Sequence, residues 1–264
     1  MKPVNTQCRL AARPTGLPKA TDFTIVDEPV PAAADGEFFV EIDYLSIDPA
    51  MRTWMNAGRS YVPPVQIGEV MRALGIGQVI ASRHREFAVG DWVSGEFGVQ
   101  NYALSTGAGV SKIDTSLAPA PVQLGALGIS GLTAYFGLLD IGRPEPGQTV
   151  LVSGAAGSVG SIVGQIARIK GCRAIRIAGG EQKCRWLVEE AGFDGAIDYK
   201  TADLRAGLKA HAPDGVDIFL TMSAARPWRP PSTGWRAAHE SCSAAQSRNT
   251  TTSRTGNCSS PAHQ

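Results

Sequence analysis

A glycine-rich turn between an apolar run and a helical pattern constrains the fold of this chain more than any other feature. Residues 149–172 read TVLVSGAAGSVGSIVGQIARIKGC, with Gly154, Gly157 and Gly160 spaced three apart. Glycines let a backbone approach a ligand closely, and a helix N-terminus offers free N–H groups and a positive dipole end. The segment therefore predicts a strand–turn–helix unit that holds a pyrophosphate. A tight turn that only packs a helix on a sheet would give the same pattern.

The residues of this turn and of the first helical turn are the candidate dinucleotide contacts. They are Gly154, Ala156, Gly157, Ser158, Val159 and Gly160.

The chain changes character twice. Residues 1–125 show short alternating β patterns broken by glycine and proline, which predict a mostly β domain. Residues 126–220 alternate strand-like and helix-like segments, which predicts βαβ units and a parallel sheet. Residues 221–264 contain no Val, Ile or Leu and show no periodicity, so we expect an irregular segment that buries no core.

Composition excludes several function classes. The net charge of +1 gives no electrostatic reason to expect nucleic acid or an anionic membrane as a partner. No apolar run is long enough to span a bilayer, and the first residues lack the apolar core of a signal peptide. The five cysteines lack CxxC spacing and favour a reducing compartment, so we expect a cytoplasmic protein.

Four long segments resemble one family. They are YLSIDPAMR at 44–52, GISGLTAYFGLLDIG at 128–142, SGAAGSVGSIVGQIARIKGC at 153–172 and GFDGAIDYK at 192–200. The chain is similar here to the zinc-independent medium-chain dehydrogenases/reductases, specifically the NADP-dependent alkenal/enone (leukotriene and prostaglandin) reductase group. The resemblance implies an α/β protein with a GroES-like β domain followed by a Rossmann domain, here truncated. It also implies NADP(H) in the cleft between the two domains and assembly as a homodimer.

The end of the second Rossmann strand bears on cofactor choice. An NAD site commonly has an acid there, whereas RAIRIA is followed by Gly179 and Gly180. The family's phosphate-binding lysine matches Lys183 and its tyrosine matches Tyr199, which implies NADP(H). An exposed helix-start lysine and a half-buried strand-end tyrosine are the alternatives. We interpret Arg185 as a solvated residue.

The first domain lacks the residues of a zinc site. It holds only Cys8 and His84, and the family's zinc-site glycine-histidine-glutamate is replaced by residues 67–70, IGEV. Two separate residues cannot form a tetrahedral site, so we expect no metal. His84 lies in the charged stretch SRHREF and is interpreted as a surface residue.

Without a metal, hydride addition to a conjugated double bond is easier than oxidation of an alcohol. Charge develops on the carbonyl oxygen, and a hydrogen-bond donor there suffices. Tyr61 in RSYVPP and the 2′-hydroxyl of the nicotinamide ribose are the candidate donors, although a loop tyrosine often only packs. Arg52 matches a family position and is a candidate substrate residue; its alternative role is an ion pair with Asp48 or Glu41. The implied function is NADPH-dependent reduction of the C=C bond of α,β-unsaturated carbonyls, with quinone reduction as a neighbouring variant.

The residues after Phe219 no longer follow the family's sequence pattern. The family has an FFDNVGG-like sequence where this chain reads FLTMSAA from Phe219. Deletion of a single nucleotide from codons for the family sequence yields the observed residues, and a shifted frame over Ser241 to Asn257 permits VVLCGAIAQYNNEPYGK. We therefore expect residues from Leu220 onward to be translated out of frame, which would leave a catalytically impaired product. A natural low-complexity tail is the alternative.

Overall fold

The computed structural model of the protein describes residues 3–58 and 60–221, and the backbone of 235–243. Most of the predicted irregular segment, 222–234 and 244–264, therefore lies outside the described residues.

The N-terminal part is an antiparallel β structure, as the alternating patterns predict. A hairpin pairs β1 with β2, and a five-stranded sheet has the order β6-β3-β4-β5-β7. A short helix, α1, lies between β3 and β4. Phe38, Val40, Val79 and Val93 form the centre of the sheet's core because alternate side chains of each strand point inward. The elements are β1 (Val4–Leu10), β2 (Phe23–Pro29), β3 (Phe38–Leu45), α1 (Ala50–Trp54), β4 (Leu74–Ser82), β5 (Trp92–Glu96), β6 (Tyr102–Ser105) and β7 (Ser111–Lys112).

A helical segment leads from this sheet to the second one. It comprises α2 (Ala120–Leu124), α3 (Ile129–Tyr135) and a π-helical stretch, Phe136–Gly142. Ala134 and Leu138 are fully buried against Val150 and Val152 of the next strand. The segment thus covers one face of the second sheet.

The second sheet is parallel and has helices on its connections. Its order is β10-β9-β8-β11-β12, so the chain moves outward from β8 in one direction and then restarts on the other side. Ligands of such sheets bind outside the carboxyl ends of the strands at this reversal, which here falls between β8 and β11. The elements are β8 (Thr149–Ser153), α4 (Ser158–Ile169), β9 (Arg173–Ala178), α5 (Glu181–Glu189), β10 (Gly195–Asp198), α6 (Leu204–His211), β11 (Val216–Thr221) and β12 (Trp235–Ser243). The predicted doubly wound architecture is confirmed.

The last strand differs from the expectation. Trp235–Ser243 pairs in parallel with β11, so the prediction of an irregular segment over 221–264 is wrong for these nine residues. The edge of a parallel sheet presents unpaired N–H and C=O groups that any extended backbone can satisfy. Pairing at this edge therefore does not require the Val, Ile and Leu residues that the segment lacks.

Within the described residues, no helix is both long and apolar enough to cross a bilayer.

Candidate functional site

The turn after β8 has the geometry that its glycines predict. Gly154 has a φ of 64°, in the left-handed region that favours glycine. The N–H of Gly157 donates to the carbonyl oxygen of Gly154 at 3.0 Å and closes the turn. Gly157 is the N-cap residue of α4, and no side chain caps this helix. The first N–H groups of α4 therefore face outward without a side-chain acceptor, as an anion site requires.

The third glycine of the turn brings the helix against the strand end. A Cβ on Gly160 would lie 2.6 Å from the carbonyl oxygen of Gly154 and 2.7 Å from the Cα of Ala155. Only glycine fits at this distance. Gly154, Gly157 and Ser158 are exposed, while Gly160 is buried beneath them.

The carboxyl ends of the two central strands meet beside this turn. Ser153 of β8 donates its hydroxyl to the hydroxyl oxygen of Thr221 of β11 at 2.7 Å. This bond spans the reversal in strand order and places the glycine-rich turn at the expected binding crevice.

A second turn, after β9, forms the neighbouring part of the site. Gly180 has a φ of 101° and is the N-cap residue of α5. Tyr199, which follows β10, lies against Gly179, since a Cβ on Gly179 would be 2.7 Å from the Tyr199 hydroxyl oxygen and 2.8 Å from two ring carbons. The structure therefore brings Tyr199 to the end of β9, where an NAD site would carry an acid.

Lys183 and Arg185 differ in their surroundings. Lys183 is the third residue of α5, is exposed, and forms no hydrogen bond or ion pair within residues 3–58 and 60–221. Arg185 donates to the Glu181 carboxylate at 2.6 Å along the same helix. Lys183 thus presents an unengaged cation beside the Gly179–Gly180 turn, whereas Arg185 is neutralised by its neighbour.

Asp198, at the end of β10, is a residue that sequence reasoning missed. Its Oδ1 accepts the N–H of Gly180 at 2.9 Å and the N–H of Lys200 at 3.0 Å. Hydrogen bonds from these two backbone groups, first that of Gly180, lower the pKa of the Asp198 carboxyl. An aspartate directly after a strand and before a turn is a known turn-forming pattern, and this is the pattern that could have identified it.

The two candidate residues of the first domain occupy different environments. Tyr61 is 65% exposed, and its hydroxyl oxygen accepts the indole N–H of Trp54 at 3.0 Å. Arg52 donates to the carbonyl oxygens of Gly16 and Pro14 and to the side chain of Asn56, at 2.9, 3.1 and 2.7 Å.

The expected ion-pair alternative for Arg52 does not form. Asp48 instead accepts the Ser46 hydroxyl, and Glu41 accepts the hydroxyl of Tyr102. The guanidinium of Arg52 ties α1 to the loop after β1, because the carbonyl oxygens of that loop accept its N–H groups.

His84 is half-buried rather than a fully solvated surface residue. Its ring packs edge-on to Phe38 and Phe87, with centroid distances of 5.7 and 5.1 Å, and its Nδ1 accepts the N–H of Glu86. Phe87 is the last residue of the same charged stretch, whereas Phe38 lies on β3 and is distant in sequence, so the local pattern alone did not indicate the packing. In the described part of the chain, no three His, Cys, Asp or Glu side chains are grouped as a metal would need.

Arg176 of β9 is buried without a hydrogen-bond partner. It is 0% exposed, none of its three guanidinium nitrogens has a hydrogen-bond partner, and its Cζ lies 3.0 Å from the centroid of the Phe193 ring. Burial lowers the pKa of this guanidinium to about 9. The sequence indicates this burial only by the position of Arg176, a charged residue between isoleucines in the apolar strand RAIRIA.

The residues of the two turns fit a dinucleotide that carries a 2′-phosphate. The uncapped start of α4 and the glycine backbone of the first turn suit a pyrophosphate. The second turn supplies a cation and a tyrosine hydroxyl in place of an acid, and charge-assisted bonds from a cation to phosphate are strong. The fold and the two turns together define the class: a β structure followed by a Rossmann-type parallel sheet whose glycine-rich turn suits a dinucleotide.

Comparisons with known proteins agree with this class. Residues 6–113 match the family described as the N-terminal domain of oxidoreductase. YfmJ of Bacillus subtilis is 48% identical over 215 residues, which are 81% of this chain and 63% of YfmJ. The NADPH-dependent curcumin reductase of Escherichia coli is 41% identical over 81% of this chain and 62% of its own length. The crystal structure of Vibrio vulnificus CurA in complex with NADPH superimposes with a TM-score of 0.76 at 44% identity, over 81% of this chain and 64% of that one.

Over 81% of its length the chain is similar to these NADPH-dependent and NADP-dependent oxidoreductases, in agreement with the family resemblance of its four sequence segments. It spans somewhat less than two thirds of the length of these relatives.

Proposed function

We propose that this chain is an NADPH-dependent oxidoreductase that reduces the C=C bond of α,β-unsaturated carbonyl compounds. The observation that carries the proposal is the turn after β9, where Lys183 and Tyr199 replace the acid of an NAD site. The NADPH named in the curcumin reductase relative and bound in the CurA structure supports the same cofactor. When bound, NADPH supplies the hydride of the reaction.

The chain's own residues bind and orient the cofactor in this proposal. The N–H groups at the start of α4, from Ser158 to Gly160, donate to the pyrophosphate, and the Gly154 turn leaves room for it. Ala156 and Val159 are half-buried on the same turn and limit the approach to the backbone. Lys183 and Tyr199 donate to the 2′-phosphate.

Tyr61 is the proposed proton donor to the substrate carbonyl. Its hydroxyl oxygen is occupied as an acceptor by Trp54, so its own O–H proton remains to be donated. Its exposure of 65% leaves the hydroxyl accessible to a small molecule. A donor at the carbonyl oxygen stabilises the charge that develops there in the transition state. Arg52 supports this region in the proposal by holding α1 in place, and we propose no metal.

A reduction assay tests the proposal. The chain is incubated with NADPH and a simple 2-enone, and the product is identified by mass spectrometry and NMR. We expect a saturated ketone with the hydride at the β carbon, and a large drop in kcat for Tyr61→Phe but not for the matched surface change Tyr44→Phe. An allylic alcohol as product, or turnover of quinones alone, would contradict the proposal.

A second candidate is a catalytically impaired product of a frameshifted gene. It is favoured by the composition of residues 221–264, which lack Val, Ile and Leu. The comparison of this chain with a version whose reading frame is restored after Phe219 separates the two candidates. Equal enone reduction by both would exclude the impaired product, while rescue by the restored frame would establish it. For the active protein we propose a homodimer in the cytoplasm, with a small-molecule substrate as its other partner.

A further inference from the structure

Asp198 connects the two halves of the second turn region through a single carboxylate oxygen. Oδ1 accepts the N–H of Gly180, which precedes α5, and the N–H of Lys200, which follows Tyr199. The two donors are 20 residues apart in sequence, and no other described side chain bonds to both. One oxygen therefore fixes the turn that carries Lys183 relative to the turn that carries Tyr199.

The backbone around Asp198 is held independently. The N–H of Tyr199 donates to the carbonyl oxygen of Ala178 at 3.1 Å, and the carbonyl oxygen of Asp198 accepts the N–H of Ala202 at 2.9 Å. The strand end would keep its path without the carboxylate. The Asp198 side chain is thus free to act on the position of the Gly180 turn rather than on the fold of β10.

We propose that Asp198 is a positioning residue for recognition of the cofactor's 2′-phosphate, an inference that rests on the proposed function. By drawing the Gly180 N–H towards β10, the carboxylate keeps Gly179 beneath the Tyr199 ring and directs the start of α5, with Lys183, to the same point. We call the two turns, at Gly180 and at Tyr199, the cradle, and the two bonds of Asp198 Oδ1 the clamp. Within the described residues, no side-chain hydrogen bond of Lys183 or Tyr199 joins one turn to the other. The position of Lys183 relative to Tyr199 therefore depends on the clamp.

The charge of Asp198 acts against its geometric role. A carboxylate near a phosphate repels it. The clamp and the charge can therefore be separated by substitution. Asp198→Asn keeps an Oδ1 that accepts both N–H groups and removes the charge, whereas Asp198→Ala removes both.

Titration of the full chain with NADPH and with NADH measures the role of the clamp. We expect Asp198→Ala to weaken NADPH binding roughly tenfold and NADH binding less than about twofold, the effect of misplacing a charged hydrogen bond. Asp198→Asn should bind NADPH as tightly as the wild type or more tightly. Asp203→Ala is the matched control, because Asp203 also accepts a backbone N–H, that of Arg205 at the start of α6, and lies outside the cradle.

Hydrogen exchange of the ligand-free protein gives a second readout. The amides of Gly180 and Lys200 should lose protection in Asp198→Ala and keep it in Asp198→Asn. Retained protection in Asp198→Ala would overturn the clamp.

The outcomes separate this inference from the proposed function. Equal losses of affinity for both cofactors in Asp198→Ala would show a merely structural role. A loss of affinity for NADH alone would show that Asp198 binds the ribose hydroxyls. Either result overturns the inference and leaves the cofactor assignment standing. A wild-type chain without preference for NADPH would overturn both.

Discussion

The ring of Tyr199 occupies the space that a side chain on Gly179 would need. A Cβ there would come within 2.7 Å of the hydroxyl oxygen and 2.8 Å of two ring carbons. Real Cβ contacts are longer, so any other residue at this strand end must displace the tyrosine. The contact couples the absence of an acid at this strand end to the position of Tyr199, the proposed phosphate-binding tyrosine, because a side chain on Gly179 would displace the ring.

Gly179→Ala should therefore weaken NADPH binding through Tyr199. The backbone of Gly179 is not in the left-handed region, so the effect is steric. A double-mutant cycle measures it: in a Tyr199→Ala background, Gly179→Ala should have almost no further effect on the dissociation constant. Gly58→Ala is the control, because a Cβ on Gly58 meets nothing within 4 Å. Additive losses would show that the contact does not matter for binding.

Lys183→Ala should weaken NADPH binding by about 1–3 kcal/mol, the range for a hydrogen bond to a charged group, and leave NADH binding nearly unchanged. Arg185→Ala, two positions along the same helix, should change neither, because Arg185 is paired with Glu181. The measurement is isothermal titration of the wild type, Lys183→Ala and Arg185→Ala with NADPH and with NADH. An equal loss for NADPH and NADH would refute the assignment of Lys183 to the 2′-phosphate.

Arg176→Met should raise the free energy of unfolding. A buried guanidinium without hydrogen-bond partners costs desolvation, and replacement of such groups by apolar residues of similar size stabilises proteins by about 1–4 kcal/mol. The lost contact with Phe193 offsets part of this gain. Arg173→Met, an exposed arginine of the same strand, should change stability by less than about 0.5 kcal/mol.

The effect of Arg176→Met should also depend on pH. Burial lowers the folded-state pKa of Arg176 to about 9, well below its ordinary value, so above pH 9 the unfolded chain binds more protons at this site than the folded chain. Wild-type stability from this group then rises with pH, and the difference between variant and wild type should narrow as the pH passes 9. Denaturant unfolding at pH 7 and pH 10 tests this; a constant or widening difference would contradict it.

Removal of metal should not affect the protein. The first domain lacks the family's zinc-site residues, with Gly68 and Glu69 in the corresponding segment. Dialysis against a strong chelator should leave the melting temperature and any NADPH-dependent turnover unchanged. Stoichiometric zinc in active protein, measured by elemental analysis, would overturn this prediction.

The sequence predicted those parts of the site that depend on local pattern. The turn at Gly154 to Gly160 combines strand, glycines and helix in one contiguous stretch, so its geometry follows from neighbouring residues. The turn-forming position of Asp198 is a local pattern, but its bond to the N–H of Gly180 could not be predicted, because Gly180 lies in another strand–helix connection. The bonds of Arg52 to the loop after β1 and the packing of His84 on Phe38 likewise depend on residues distant in sequence. The pairing of β12 depends on an available sheet edge rather than on its own side chains.

Isothermal titration of the purified full chain with NADPH and with NADH tests the central claim most directly. If the turns at Gly154 and Gly180 form a site for a dinucleotide with a 2′-phosphate, NADPH should bind saturably at one site per chain, at least about tenfold more tightly than NADH. Equal affinities for the two cofactors, or no saturable binding of NADPH, would contradict the account.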